Sequence, residues 1–465
     1  MKTDIIEQKE FNLLTEKNDI VITNNVQNDL VKQLDKIFGG KLIDLSNEPF
    51  TTIHTLGKLK SKRVHIVNLE KLDKLKKRYK IFKSISDLKG DVTVLVDTFE
   101  TKETFNEIIE VLTEKLLTNN YKFTNHKSKK DDEVKNFYYY GESNIYEIVK
   151  KGYILGDCIN NAKDLVNTPY NFLNASDLAV YAQKLERFKN VTVEIFDKNQ
   201  IEEMNMSAFL GVNKGSIEPP KLILIKYQGK ENFDDPPALV GKGVMYDTGG
   251  YSLKTPVGMP GMKVDMAGSA AVISALEAIA RLELKANVMA IVAATDNRIG
   301  DNAIVPDDIL TAANGKTIEI ISTDAEGRLT LADAVWFAQK QGAKKVIDTA
   351  TLTGSMVAAL GHEFTGAFTN NKDFYQEFYK ASERAKEKVW EMPVSRGYKK
   401  LIKSKVADIK NTGGRLAGAS TAAQFILEFI EKDTKWIHLD IAGTASNEKQ
   451  GATGVMVKSF TEMFY

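Results

Sequence analysis

Three polar clusters stand where apolar runs end: GKGVMYDTGGYSLK at residues 241–254, MKVDMAGSAAV at 262–272 and STDAEGRLTLADA at 322–334. They contribute four carboxylates, Asp247, Asp265, Asp324 and Glu326. Asp324 and Glu326 are two residues apart, so on an extended backbone both side chains project to one side and can share a target. Four carboxylates meeting in one pocket would repel one another and drive some pKa values upward. Two divalent cations would cancel them. Oxygen-rich sites of this kind suit Mg, Mn or Zn, and paired cations about 3.5–4 Å apart activate a water while polarising the group it attacks. The alternative is four unrelated surface acids. Lys242 and Lys254 lie five residues before and seven after Asp247, in a stretch where Gly249 and Gly250 allow a tight turn. A lysine close to two dications loses its proton readily and can ligate metal, whereas one slightly further away stays cationic and can steady a developing oxyanion. The ordinary fate of either lysine is an exposed ammonium.

Residues drawn from such distant stretches need a scaffold that gathers them. Apolar runs at Val191–Phe196, Leu222–Tyr227, Ala238–Tyr246, Asn287–Ala294, Thr317–Ser322, Val346–Thr349 and Trp436–Ile441 read as strands, with helical patterns between several of them. Continuous apolar strands are buried on both faces, which predicts an α/β fold whose mixed, largely parallel central sheet is flanked by helices. Ligands of such sheets gather beyond the carboxyl ends of the strands. Ahead of this catalytic domain, placed at 155–465, residues 1–130 read as a smaller N-terminal α/β domain. Its runs at Asp19–Asn25, Arg63–Leu69 and Asp91–Phe99 alternate with a helical pattern at Phe105–Leu117. Residues 131–154 are expected to be linker and connecting helix, the polar run HKSKKDDE at 126–133 leading into a long helix from Glu142 to Leu165.

The chain has 465 residues, 63 Lys+Arg against 62 Asp+Glu and 43% hydrophobic residues, a balance that excludes disorder, collagen and coiled coil. Its single cysteine, Cys158, excludes an internal disulfide and a multi-thiolate metal site, and reads as a small buried hydrophobe of a helix. The acidic start MKTDIIEQKEFNLL is unlike a signal peptide, and no apolar stretch reaches the length of a membrane span, so a cytoplasmic protein without membrane contact is expected. The sequons at Asn174 and Asn205 are then chance matches. A net charge of +1 does not suggest a dedicated nucleic-acid binder. Lys71–Lys83 holds seven Lys/Arg in thirteen residues; a solvated helix face explains it more simply than a patch for nucleic acid or an acidic partner. There is no G-x-S-x-G elbow, His362 lacks the second histidine of H-E-x-x-H, and the Gly413–Gly418 run lacks a GK[ST] ending, so serine hydrolase, zincin and phosphate-loop readings are weak.

The clusters are also the motifs of a known family. Val240–Lys254, Met262–Val272, Ser322–Leu329, ATLTG at Ala350–Gly354, Asp408–Phe425, HLDIAGTA at His438–Ala445 and GATG at Gly451–Gly454 follow one another as in the leucine aminopeptidase (cytosol aminopeptidase) family of dinuclear metallo-exopeptidases, which the sequence resembles from about residue 155 to the end. The resemblance implies two divalent metal ions per subunit, Zn or Mn, with Mg or Co as alternatives. Asp247 and Glu326 would bridge them, Lys242 and Asp265 would complete the tighter site, and Asp324 would complete the more exchangeable one, by its carboxylate and its backbone carbonyl. Lys254 would stabilise the gem-diolate oxygen. Arg328 would hold a bicarbonate ion as general base, a role suited to its planar fork of donors. Met262 and the turn Thr351, Leu352, Thr353, Gly354 would border the pocket for the first side chain, although core packing accounts for Met262 equally well.

The implied reaction is hydrolysis of the first peptide bond of peptides with a free amino terminus, leucine-like residues preferred. The implied assembly is a homohexamer of two stacked trimers whose sites face an interior cavity. The chain departs from the family pattern at Ser322, in the stretch Asp296-Asn297-Arg298, and at Val305-Pro306-Asp307-Asp308; none of these is an expected ligand. Two other classes compete. Two-metal phosphoester hydrolysis would use similar carboxylates, and a nucleic-acid-binding or scaffold role would act through the N-terminal domain and its basic segment.

Overall fold

The computed structural model describes every residue except 1, 43, 45–47, 73–74, 101–104, 129–133, 142–144 and 448–450, and the backbone alone of 2, 75 and 76. It divides into two compact units, Met1–Asn160 and Asn161–Tyr465. The expected linker residues 129–133, and residues 142–144 of the expected connecting helix, lie outside the described residues; the helix itself runs Ile145–Asn167.

In the first unit the described strands are β1 (Lys2–Glu7), β2 (Asp19–Thr23), β3 (Phe50–His54), β4 (Arg63–Val67), β5 (Val92–Leu95) and β6 (Val134–Tyr140). They form one sheet in the order β1-β6-β5-β2-β4-β3. Every pair is parallel except β3 with β4. The period of two splits β2 between two cores: Val21 packs with Phe137 and the Phe105–Asn119 helix, while Ile20 and Ile22 pack with Leu34 and Val64 on the other face. The run expected as one strand over Asp91–Phe99 stops at Leu95. There the Thr98 hydroxyl donates to Leu95 O (2.6 Å) and accepts from Thr23 N (3.1 Å), closing Val96–Phe99 into a 3₁₀ turn. Of the basic segment, Lys71 ends the 3₁₀ turn Leu69–Lys71, residues 73–74 lie outside the described residues, and the part from 75 on falls on the helix Leu75–Ser86, where Arg78 departs from the expected solvated face. It is buried and donates to Leu72 O and to Glu107, each at 2.9 Å.

The second unit holds β7 (Val191–Phe196), β8 (Lys221–Gln228), β9 (Ala238–Asp247), β10 (Asn287–Asn297), β11 (Ile309–Thr311), β12 (Thr317–Glu319), β13 (Lys345–Ala350), β14 (Thr365–Thr369), β15 (Val389–Glu391), β16 (Ile409–Lys410) and β17 (Lys435–Asp440). Its main sheet runs β15-β14-β17-β13-β9-β10-β8-β7. The central strands β17, β13, β9 and β10 are mutually parallel, and antiparallel strands flank them. The mixed, largely parallel sheet is the one expected, with one correction. The run Thr317–Ser322 is a strand only to Glu319, and it pairs with β11 and β16 in a small separate sheet. Among the described residues no helix is long and apolar enough to cross a membrane.

Helices cover both faces of the main sheet, and glycines set how closely they approach. A Cβ on Gly241 would lie 2.6 Å from Gly268 O, and one on Gly268 would lie 2.1 Å from Thr349 O, so the buried helix Ala267–Arg281 rests directly on β9 and β13. On the other face Ala238 and Val240 pack with Leu329, Ala332 and Val335 of the helix Gly327–Lys340. The carboxyl ends of the four parallel strands, Asp247, Asn297, Ala350 and Asp440, lie along one edge of the sheet.

Candidate metal centre

Lys242 continues the Ala238–Val240 face of β9 and so points toward the start of the Gly327–Lys340 helix. Asp247 is five residues on and in a regular strand would point the other way. The pairing of β9 with β10 corrects this: Val244 faces Thr295 and Asp247 faces Asn297, so β9 carries one extra residue, and the bulge turns Asp247 back to the face of Lys242. Beyond Asp247 the chain folds on itself through Gly249 (φ +85) and Gly250 (φ +60), in a region that favours glycine. A Cβ on Gly249 would also meet Asp324 Oδ1 at 2.8 Å. The turn returns Lys254 to Asp247, with Nζ–Oδ2 2.7 Å. Asp265 sits in the 3₁₀ segment Met262–Met266 just ahead of the helix that rests on β9, and Glu326 immediately precedes the helix Gly327–Lys340.

The side chains interlock. Lys242 Nζ lies 2.7 Å from Asp265 Oδ1 and 2.8 Å from Glu326 Oε1, and it donates to Thr351 O at 3.2 Å. Lys254 joins Asp247 to Asp324. Thr351 Oγ1 donates to Asp265 Oδ1 (2.9 Å). Asp247 Oδ1 accepts from Gly249 N and Asn297 Nδ2, each at 2.8 Å. Lys242, Asp247, Asp265 and Glu326 are buried, whereas the Asp324 side chain is 39% exposed.

Four carboxylates thus face two ammonium groups in a largely dry pocket, and the surplus of negative charge shows in their titration. Burial pushes Asp265 well above the ordinary carboxylate range; Lys242 offsets this, and the charges of Glu326 and Asp247 add to it. Asp247 is raised by burial and by Glu326, and Asp324 by burial and Asp247, against the pull of Lys254. Burial opposes the charge of both lysines, but the surrounding carboxylates outweigh it and raise each above an ordinary lysine. One oxygen each of Asp247, Asp265 and Glu326 lie within 4.8 Å of one another, and Asp265 Oδ2 is buried without a hydrogen-bond partner among the described residues. Excess negative charge, clustered hard oxygen donors and an orphaned carboxylate oxygen fit divalent cations.

Arg328 lies on the helix just beyond Glu326, buried, and burial draws its pKa down to about 10. Its Nη1 donates to Asn411 O (2.7 Å), while its Nε has no partner among the described residues. Of the expected pocket residues, Met262 is half-buried at the head of the 3₁₀ segment that carries Asp265. Thr351 and Leu352 are half-buried beyond β13, and Gly354 is exposed at the start of the helix Gly354–Leu360. Leu352 N and Thr353 Oγ1 both donate to Asp440, at 3.2 and 2.7 Å. His362 is bonded to Gly443 O (2.7 Å). Sequence reasoning did not single out Asn297, Thr323, Asp440 or Gly327. Asn297 Nδ2 also reaches Thr323 O (3.0 Å), and Thr323 Oγ1 donates to Gly249 O (2.6 Å), tying the Asp247 turn to the Asp324 loop. The available signal was a polar residue closing each apolar strand, as Asn297 closes β10 and Asp440 closes β17.

Gly327 makes room for Lys242: a Cβ there would fall 2.5 Å from Lys242 Cε and 2.6 Å from Nζ. Gly327→Ala is therefore expected to displace the ammonium and weaken Mn²⁺ binding about 10- to 100-fold, as loss of supporting contacts does at metal sites. Calorimetric titration checks this; wild-type affinity in the variant would show that the lysine is free to move.

Residues 160–461 match the cytosol aminopeptidase family, catalytic domain. Two solved structures are similar over nearly the whole chain. A mutant of tomato leucine aminopeptidase is 30% identical, with a TM-score of 0.85, and the match covers 100% of this chain and 96% of that one. The bottromycin maturation enzyme BotP, in complex with Mn, is 25% identical, with a TM-score of 0.84, covering 97% of this chain and 99% of that one.

Proposed function

The chain belongs to the cytosol aminopeptidase family and is a metal-dependent aminopeptidase, and from that premise we propose that it uses a pair of divalent cations to release the first residue, preferably leucine or a similar apolar residue, from peptides. Asp247 and Glu326 would hold both cations, Lys242 and Asp265 would complete one site and Asp324 the other. Bound there, divalent cations supply a water of lowered pKa and polarise the scissile carbonyl. The observation that carries the reading is the meeting of Asp247, Asp265 and Glu326 oxygens within 4.8 Å, beside Asp324, with more carboxylates than ammonium groups. The donors are mostly carboxylate oxygens with one lysine nitrogen, a set that suits Mn or Zn.

This chain's own residues account for the rest of the chemistry. Lys254 keeps its proton and sits at the mouth of the cluster, 17% exposed, where it can donate to the oxygen that gains charge as the carbonyl becomes tetrahedral. Arg328, buried and with its Nε unpartnered among the described residues, offers a planar donor fork to a small anion; bicarbonate held there would accept the proton of the attacking water. Met262, Thr351, Leu352 and Gly354 would shape the pocket for an apolar first side chain, Met262 by its adaptable thioether. A homohexamer in the cytoplasm completes the reading.

The direct test is a panel of amino-acid p-nitroanilides and a phosphate ester, assayed after chelation and again after return of Mn²⁺ or Zn²⁺. Metal-restored cleavage with leucine preferred supports the proposal, and cleavage of the phosphate ester alone rejects it.

Metal loading should also depend on pH with a definite sign. Cations bind the unprotonated carboxylates, whose pKa values are raised here, and the raised pKa of Lys242 means that ligation by its nitrogen releases a proton. Affinity therefore climbs with pH. Below its ordinary carboxylate range the metal-free cluster is protonated and gains stability that it loses as pH rises through the raised pKa values. The difference in Tm between metal-loaded and chelated protein is expected to widen from pH 5.5 to pH 8; a constant difference would contradict the assignment.

A further inference from the structure

We propose that Asn411 is a positioning residue for this centre: its side-chain amide fixes the backbone that presents Asp324, and its carbonyl fixes the guanidinium of Arg328. The inference rests on the two-cation reading above and adds a residue to it.

β12 and β16 pair in parallel through Ile318 with Ile409 and Glu319 with Lys410, and Asn411 N continues the ladder by donating to Glu319 O (3.0 Å). From there the side chain takes over from the main chain. Asn411 Oδ1 accepts from Ile321 N (2.9 Å) and Ser322 N (3.3 Å), while Nδ2 donates to Ser322 O (2.7 Å). A primary amide holds a donor and an acceptor on one short, rigid group, which is what gripping both the N–H and the C=O of one residue requires. Asn411 is completely buried, so it acts from behind the site and out of reach of a substrate.

Asp324 is two residues beyond this grip. It is the most exposed of the four carboxylates, and its own ties are Asp324 N to Ser322 Oγ (3.2 Å) and the ion pair with Lys254. Its position therefore depends on residue 322, gripped by Asn411, together with Thr323, which Asn297, Ser252 and Gly249 hold. On the opposite side Asn411 O accepts from Arg328 Nη1 (2.7 Å), the one hydrogen bond found for that guanidinium among the described residues. Asp265, by contrast, is held by Lys242 and Thr351, neither of which is hydrogen-bonded to Asn411 among the described residues. Loss of the amide should thus be felt selectively, at the cation site that Asp324 completes.

The test is calorimetric titration of Mn²⁺ into metal-stripped wild type and Asn411→Ala, with thermal unfolding of both. The expected result is a loss of about 10- to 100-fold in the weaker of two binding steps, with the stronger step within about twofold of wild type. Two steps in wild type that are unchanged in the variant would overturn the positioning role and leave the two-cation reading standing. An equal loss in both steps would overturn it as well, since that signals general damage. A single step in wild type would sink the two-cation reading and this inference with it. Should Asn411→Ala not fold, Asn411→Asp decides by the same titration. It keeps the shape and the acceptor but turns the donor to Ser322 O into a second acceptor, so the same selective loss is expected, and a weaker step at wild-type strength or tighter overturns the role.

Discussion

Lys254→Ala is expected to lower turnover on leucine p-nitroanilide about 100- to 1000-fold, the usual loss when one donor to a developing oxyanion is removed. The reason is positional. Lys254 is brought to the mouth of the cluster by the turn through Gly249 and Gly250, and it is the less buried of the two ammonium groups. It pairs with Asp247 and Asp324, so the carboxylates keep it charged. The variant should fold and should still bind Mn²⁺, because removing a cation from a site rich in carboxylates does not weaken its attraction for metal. Steady-state kinetics beside metal analysis separates the outcomes: low turnover with full metal content is the expected pair, and normal turnover would remove Lys254 from the chemistry.

Asp265→Asn is expected to act through metal instead. The amide keeps the size of the carboxylate and an acceptor for Lys242 and Thr351, which now hold Asp265 Oδ1 at 2.7 and 2.9 Å. It loses the charge and the anionic Oδ2 that has no hydrogen-bond partner among the described residues. Removal of merely supporting contacts costs about 10- to 100-fold in metal affinity, so a lost ligand should exceed about 100-fold. The metal-stripped variant should be at least as stable as the metal-stripped wild type, because a charge that burial first, and then Glu326 and Asp247, disfavour has gone from the cluster. Activity should fall in proportion to occupancy and recover in part at high Mn²⁺. Wild-type affinity in Asp265→Asn would exclude Asp265 as a ligand.

Much of this site could be read from residue order. The carboxylates and lysines stand in clusters that end apolar runs, and parallel strands buried on both faces bring such ends to one edge of a sheet. What could not be read is what turns each group toward the others. The bulge that returns Asp247 to the Lys242 face is a pairing event between β9 and β10, invisible in β9 alone. The sequence shows Gly327 and Asn411 inside motifs, but their tasks, clearing space for Lys242 and gripping Ser322, arise only when remote segments meet. The element errors have the same origin. Asp91–Phe99 is rich in strand-forming apolar residues, yet a threonine hydroxyl closes its second half into a turn. Thr317–Ser322 has strand composition, but Asn411 and the short strand β16 draw it away from the main sheet. In the basic segment, charge alone placed Arg78 outside, whereas Glu107 and the carbonyl of Leu72 give it partners inside.

The central claim is that Asp247, Asp265, Asp324 and Glu326 hold a pair of divalent cations on which peptide cleavage depends. Anomalous diffraction from Mn²⁺-loaded crystals tests it most directly. The account predicts two Mn peaks per chain among these four side chains, both absent, together with activity, after chelation. Crystals that retain full aminopeptidase activity with no peak among these residues would contradict it.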